Sequence, residues 1–221
     1  MKTPESRVLY PVMPEDLVRI DTSFLDPNYP NVRLRMGLRP DEHPGIDINL
    51  QGTYGNKDEG YPVVAMADGI VVHSGFHRVW GNIVLVEHPG LARELGYDYL
   101  ASQYAHLKFR SVKEGDYIVA GEPVGSIGRG DPARPFLAHL HFEIRRAKLP
   151  ADFWPGKDVE LIKAKYLDPE KFLMENFQPV RRTLKKVILI SQTKGIETNE
   201  TWDRAIVNYD YPSKVYVKQI K

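Results

Sequence analysis

Cysteine is absent from the 221 residues, which excludes disulfides and any thiolate metal site. A metal held by this chain must therefore use His, Asp or Glu. The absence is silent on compartment, because a chain without thiols tolerates either redox state. No apolar run approaches the ~18 residues that span a bilayer. The opening Met1-Lys2-Thr3-Pro4-Glu5-Ser6-Arg7 leads into no apolar stretch of ~7–15 residues, so no secretory signal is visible. A charge of one sign is lacking too. Thirty Lys and Arg stand against 29 Asp and Glu, a net charge of +1, and this removes the usual electrostatic reason to expect a nucleic-acid or membrane partner. The imbalance that exists is local: residues 179–221 hold nine basic and four acidic side chains, which reads most simply as a solvated basic face. There is no repeat and no low-complexity tract, and nothing in the composition fixes an oligomeric state.

What is present suffices for a core, since 42% of the residues are apolar. Three stretches differ in character. Residues 1–40 are rich in proline (Pro4, Pro11, Pro14, Pro27, Pro30, Pro40), which removes backbone donors and predicts an extended or irregular lead-in; Val32 to Leu38 could hold a short strand. Residues 41–150 carry short β-rich runs at Ile46–Leu50, Val63–Met66, Gly69–His73, Asn82–Glu87, Ser102–His106, Tyr117–Val119 and His139–Arg145, separated by turn pairs such as Asp68-Gly69 and Gly115-Asp116. That pattern predicts a mainly β domain, an antiparallel sheet, groove or sandwich. Leu91–Leu95 is too short to count as a helix of ordinary length. Residues 151–221 read as a C-terminal extension. Asp168 as N-cap and Pro169 at the first helical position predict one short helix, and Lys186–Ser191 and Lys214–Ile220 read as appended strands.

The chemistry sits in the histidines. In His139-Leu140-His141-Phe142-Glu143-Ile144-Arg145, strand alternation places Leu140, Phe142 and Ile144 on one face and His139, His141, Glu143 and Arg145 on the other. Two imidazoles then point together into a polar groove, where one can serve as a metal ligand and the other as a general base; two half-exposed strand histidines would give the same pattern. In His43-Pro44-Gly45-Ile46-Asp47, the Pro-Gly pair argues for a turn that brings His43 and Asp47 together, either as a polar surface turn or as two ligands of one ion. His106 ends a strand, where a lone histidine is more often structural. Taken together, His43, Asp47 and one of His139 and His141 supply the three protein ligands that a zinc hydrolase uses, leaving His106 and the spare histidine for acid–base work and for stabilising an oxyanion. His73, His77 and His88 lack partners at useful spacing and read as surface or turn residues. Gly125, Gly128 and Gly130 suggest a phosphate loop only superficially, because no helix pattern follows.

His43-xxx-Asp47, Tyr104-Ala105-His106-Leu107 and His139-Leu140-His141-Phe142-Glu143 resemble, in order and spacing, the signature of lysostaphin/LytM-type zinc metallopeptidases. The runs from Pro62 to Val71, Trp80 to His88 and Val112 to Gly128 resemble the strands between those motifs, so the likeness covers roughly residues 40–147. The resemblance implies a duplicated-hybrid-motif fold, with Zn2+ bound by His43, Asp47 and His141 and with His106 and His139 acting in catalysis. It implies a peptidoglycan stem or cross-bridge peptide as substrate, and a place in the cell envelope or outside the cell, reached by an export route the chain does not display or aboard a phage particle. A latent or non-catalytic wall-binding relative and a zinc amidase acting on peptidoglycan share the same residues. The chain departs from the family at Ala133–Ala138, where a Thr-Gly-Pro-like run is usual, and at Gln51–Tyr61, a longer polar loop than the simplest members carry. Both bear on the groove walls and hence on substrate preference.

Overall fold

A computed structural model divides the chain into two compact units, Met1–Pro179 and Val180–Lys221, and describes residues 6–178, 205–211 and 214–219. In chain order the first unit carries β1 (Val18–Thr22), α1 (Tyr29–Arg35), β2 (Ile46–Leu50), β3 (Pro62–Val64), β4 (Gly69–His77), β5 (Gly81–Glu87), α2 (Pro89–Leu95), β6 (Ala101–Leu107), β7 (Tyr117–Ile118), β8 (Pro123–Ser126), β9 (Leu140–Arg145), α3 (Val159–Lys165), β10 (Tyr166–Leu167) and α4 (Pro169–Asn176). Eight of the strands form one antiparallel sheet, ordered β1-β2-β9-β6-β5-β4-β7 with β10 also on β9, and β3 and β8 pair as a separate ribbon. The fold is thus mainly antiparallel β with a few short helices, as the strand-and-turn pattern predicts.

Period-two alternation decides which face of the sheet is apolar. Leu140, Phe142 and Ile144 of β9 lie beside Ile46 and Ile48 of β2 and Tyr104 of β6, all buried in one cluster. The cluster is closed by Val63 and Val124 of the ribbon and by Phe172 and Leu173 of α4. Each such aliphatic or aromatic side chain contributes about 1.5–3 kcal/mol when taken from water. The opposite face of the same strands carries Asp47, Ala105, His141, Glu143 and Arg145. The register Asp47↔His141 and Ala105↔His141 sets these side by side across β2, β9 and β6. Gly45 permits this, because a Cβ there would collide with the carbonyl oxygen of Phe142.

Several local expectations change. The stretch Val32–Leu38 is not a strand; its first residues belong to α1 and the rest to that helix's exit. Pro30 sits in the first turn, where its fixed φ suits a helix. Gly37 leaves at φ +72, with Gly37 N–H donating to Leu34 O and Leu38 N–H to Arg33 O, the pairing that closes a helix end. Val32, Leu34 and Met36 alternate in a strand-like way but are all exposed. The N-terminal lead-in also holds β1, antiparallel to β2. Near the C-terminus of the first unit two short helices stand where one was expected: α4, capped by Asp168 as predicted, and α3, capped by Asp158 through Leu161 N–H. The second unit shows β11 (Ala205–Tyr211) antiparallel to β12 (Lys214–Gln219). The strand expected at Lys186–Ser191 lies outside the described residues.

His88 is fully buried rather than a surface or turn residue. Its Nδ1–H donates to Asp68 O at 2.9 Å, so Nε2 accepts from the Ser102 hydroxyl at 2.7 Å. Ser102 Oγ in turn lies 2.8 Å from the Tyr104 hydroxyl, which accepts Met66 N–H. Burial pushes the imidazole pKa down to about 4, against a smaller opposing pull from Asp68. The unfolded chain therefore binds the extra proton between about pH 6.5 and 4, and stability present above that window is lost as pH falls through it, by roughly 3 kcal/mol from this one group. Urea midpoints at pH 7 and 4.5 test this: His88→Gln should flatten the pH dependence, and an unchanged slope would remove His88 as its source.

Candidate metal centre

Three side chains converge on the polar face of β2 and β9. His43 Nε2 lies 3.1 Å from His141 Nδ1 and 3.2 Å from Asp47 Oδ1, and His141 Nδ1 lies 3.1 Å from the same carboxylate oxygen. These residues form the one group of three or more His, Asp or Glu side chains among the described residues whose ligand atoms lie close enough together to hold a metal ion. Ligand atoms at zinc distances of ~2.0–2.1 Å stand about 3.3 Å apart in a tetrahedron, so the spacing suits a single ion.

The hydrogen bonds behind the imidazoles argue for a cation more strongly than the distances do. His43 Nδ1 faces Ser23 O at 3.0 Å, and a carbonyl only accepts, so Nδ1 carries the proton and Nε2 presents a lone pair. His141 Nε2 faces the Glu143 carboxylate at 3.1 Å, which fixes Nε2–H and turns the Nδ1 lone pair inward. Two lone pairs and a carboxylate oxygen then meet with no donor among them. A metal ion satisfies all three, and the acceptors behind the two imidazoles are the kind of partner that orients metal-ligating histidines. Burial opposes ionisation of Asp47, but the imidazoles of His43 and His139 hold its carboxyl well below the usual range. Burial also opposes charge on His141, yet Asp47 and Glu143 raise its pKa to about 9.

Glu143 is anchored in turn. It accepts from Arg145 Nε at 2.8 Å, and both side chains are fully buried. The Arg145 guanidinium also donates to Leu149 O, Pro150 O and Ala151 O. Burial works against the Glu143 carboxylate, while Arg145 and His141 hold it below the usual range.

His106 and His139 stand beside this group, their rings 4.8 Å apart. His106 arrives by an irregular route. Residues 105 and 106 of β6 together oppose Ile83 of β5, since Asn82 pairs with Leu107 and Val84 with Tyr104. His106 takes φ +61, the left-handed region that a β-branched or bulky residue rarely adopts outside special sites. Without the bulge it would follow Ser102 and Tyr104 to the apolar face. Instead its ring stacks 5.8 Å from Trp80 and lies 5.7 Å from His141. Its Nδ1 donates to Trp80 O at 2.9 Å, and burial, with His139 and His141 adding to it, keeps the ring neutral, its pKa well below the ordinary value. His139 Nδ1 donates to Leu137 O at 2.7 Å, and its Nε2 is 3.7 Å from Asp47 Oδ1. Both rings therefore offer Nε2 as a proton acceptor.

The walls carry residues that no motif marked. Trp154 packs on Trp80 at 5.4 Å, donates to Asp41 and lies under Arg33. Tyr29 of α1 lies 4.4 Å from the His43 ring, and Phe136 lies 5.0 Å from His106. Phe136 belongs to the Ala133–Ala138 loop, so that loop does border the site. The Gln51–Tyr61 loop is tied to the same place: Ala138 N–H donates to Asn56 Oδ1, and Asn49 Nδ2 bridges Asp58 and Ala138 O. Tyr29 and Trp154 carry no sequence signal, whereas both loops are expected at the groove walls and the alternation of β9 already sets Glu143 and Arg145 on the face of His141.

Residues 41–153 match Peptidase family M23, just over half of the chain. Among curated proteins, the cell division protein DipM of Caulobacter vibrioides is 34% identical over 113 residues, 50% of this chain and 15% of its own length. Lysostaphin of Staphylococcus simulans is 32% identical over 110 residues, 49% of this chain and 19% of its own. The peptidoglycan DD-endopeptidase ShyC of Vibrio cholerae is 32% identical over 84 residues, 38% of this chain and 17% of its own. The chain thus spans less than a fifth of each of these relatives. The family match contains all five residues of the histidine–aspartate cluster, and on that match the chain is a member of Peptidase family M23.

Proposed function

We propose that this chain is a zinc-dependent endopeptidase that hydrolyses peptide bonds in the stem or cross-bridge peptides of peptidoglycan. The observation that carries the zinc assignment is the meeting of two imidazole lone pairs and a carboxylate at 3.1–3.2 Å, with both tautomers set by Ser23 and Glu143. His43, Asp47 and His141 would hold the ion, and zinc so bound supplies Lewis acidity toward a carbonyl and acidifies a water. The remaining work falls to the chain. His106 and His139 present Nε2 lone pairs to the groove, so either can take a proton from the attacking water and, once protonated, donate toward the oxyanion or the leaving amine. Trp80 and Phe136 exclude water around His106, which strengthens electrostatic interactions there. The names of the relatives, ShyC above all, support the peptidoglycan substrate, and such a substrate would be met in the cell envelope or outside the cell. Among the described residues no helix is long and apolar enough to cross a membrane.

A single preparation tests this reading. Metal analysis should return about one zinc in the centre, and turbidity of a peptidoglycan suspension should clear, stop with chelator and resume with zinc. Mass analysis of the products should show cut peptides still attached to glycan. Release of intact stem peptides would mean amidase action, and zinc uptake without clearing on several wall types would mean a binding-only or latent relative.

A further inference from the structure

A second histidine pair lies on the same face of the sheet, outside the centre described above. His73 and His77 are on β4, four residues apart, with Gly75 between them. Cross-strand partners share a face, and Gly75 pairs with Ile83, which is buried with Ala105 and Trp80 beside the candidate centre. β4 is three strands from β9 in the sheet, so the pair sits roughly 14 Å from that centre at ~4.8 Å per strand.

The two rings lean toward each other across the glycine until His73 Nε2 and His77 Nε2 are 2.9 Å apart. A Cβ on Gly75 would meet His73 Nε2 at 2.6 Å, so the glycine makes the room in which the rings converge. Behind each ring stands a carboxylate. His73 Nδ1 faces Glu114 at 3.6 Å, and His77 Nδ1 faces Asp152 at 3.5 Å. Those carboxylates favour Nδ1–H on both rings. With both protons drawn to Nδ1, the two Nε2 lone pairs would face one another at contact distance, where either one shared proton or a metal ion between them joins the rings. Carboxylate–imidazole–cation–imidazole–carboxylate is the order in which partners behind metal-ligating histidines are found. Both side chains are about a quarter exposed, and His73 also lines an open cleft of about 210 Å³ with Leu85, Glu87 and Tyr99, so water can complete a coordination shell. That cleft contains none of the residues of the candidate centre.

We propose that His73 and His77 form a second metal site, taking one borderline divalent transition ion such as Zn2+, Ni2+ or Cu2+ through their two Nε2 atoms, with Glu114 and Asp152 orienting the rings. Imidazole ligands with water suit those ions and disfavour Ca2+ and Mg2+, which want oxygen. Opening the rings by a few tenths of an ångström brings the 2.9 Å separation to the ~3.3 Å of two nitrogens on one tetrahedral zinc. Asp152 belongs to the loop that carries Trp154, so the ion would tie β4 to that wall of the groove.

The test is a calorimetric Zn2+ titration of the chelator-stripped full chain beside His73→Ala, His77→Ala, Gly75→Ala and His141→Ala proteins. The wild type should take up two ions, the weaker with a micromolar Kd. His73→Ala, His77→Ala and Gly75→Ala should each lose that weaker ion, and Gly75→Ala removes no ligand, which isolates the convergence of the rings. Glu114→Gln and Asp152→Asn should weaken it about tenfold. His141→Ala should lose only the tighter ion, so failure of the central centre is distinguishable from failure of this one. A second ion that survives in a His73→Ala/His77→Ala protein, or a wild type whose uptake neither variant lowers, overturns the proposal.

Discussion

A His141→Ala protein is expected to lose both the tightly bound zinc and hydrolysis, the latter by about a thousandfold or more. His141 Nδ1 stands 3.1 Å from both His43 Nε2 and Asp47 Oδ1, so it would be the ligand nitrogen between them. Losing the ion removes several kcal/mol of transition-state stabilisation, and about 4 kcal/mol already equals a factor of a thousand. Asp47→Ala should behave alike. His106→Ala should separate the two effects. Its ring touches the site through stacking and its Nδ1 is committed to Trp80 O, so the tightly bound zinc should stay near one per chain while the rate falls by roughly 10²–10⁴, the usual worth of a positioned acid–base group. Metal analysis and clearing rates on the same samples check both halves. Full activity in His106→Ala would take that residue out of the mechanism, and loss of zinc with it would make it a ligand.

The second large effect is on stability. Arg145→Met should destabilise the protein by about 3–5 kcal/mol, because it breaks a fully buried ion pair and leaves the Glu143 carboxylate with His141 alone, takes a donor from the carbonyls of Leu149, Pro150 and Ala151, and breaking a buried pair by removing one partner is among the costliest defects. For a chain of this size that is a fall in Tm of roughly 10 °C, read by calorimetry on chelator-treated protein so that zinc loss does not add to it. Replacing both members, Glu143→Leu with Arg145→Met, should cost less than the sum of the single changes, since no lone charge is left. Additive losses would show that the pair is not coupled. The double protein should nevertheless bind zinc more weakly, because His141 Nε2–H loses its acceptor.

Much of the site was legible because β geometry has a period of two. Once β9 was taken as a strand, His139, His141, Glu143 and Arg145 had to share a face, and the Pro-Gly turn between His43 and Ile46 offered a reason for His43 and Asp47 to meet. The helix α1 departs from the strand expected there because Val32, Leu34 and Met36 alternate as a strand does, while Pro30 in its first turn and Gly37 at its exit favour the helix. His88 was misplaced for a related reason. A histidine at a strand end reads as exposed until Asp68 O, Ser102 and Tyr104, from separate segments, are seen to satisfy it.

By itself the sequence determined the chemistry available: no thiolate, five imidazole and carboxylate groups in three motifs, and strands whose alternation separates an apolar face from a polar one. Tertiary structure decided which of those groups meet. The register of β2 on β9 places Asp47 opposite His141, and a one-residue slip would send one of them to the core. The bulge in β6 turns His106 to the polar face against its own alternation. Ser23 and Glu143 choose the tautomers of His43 and His141. These outcomes depend on pairing between residues as many as 98 positions apart, and short-range pattern carries no information about contacts of that span.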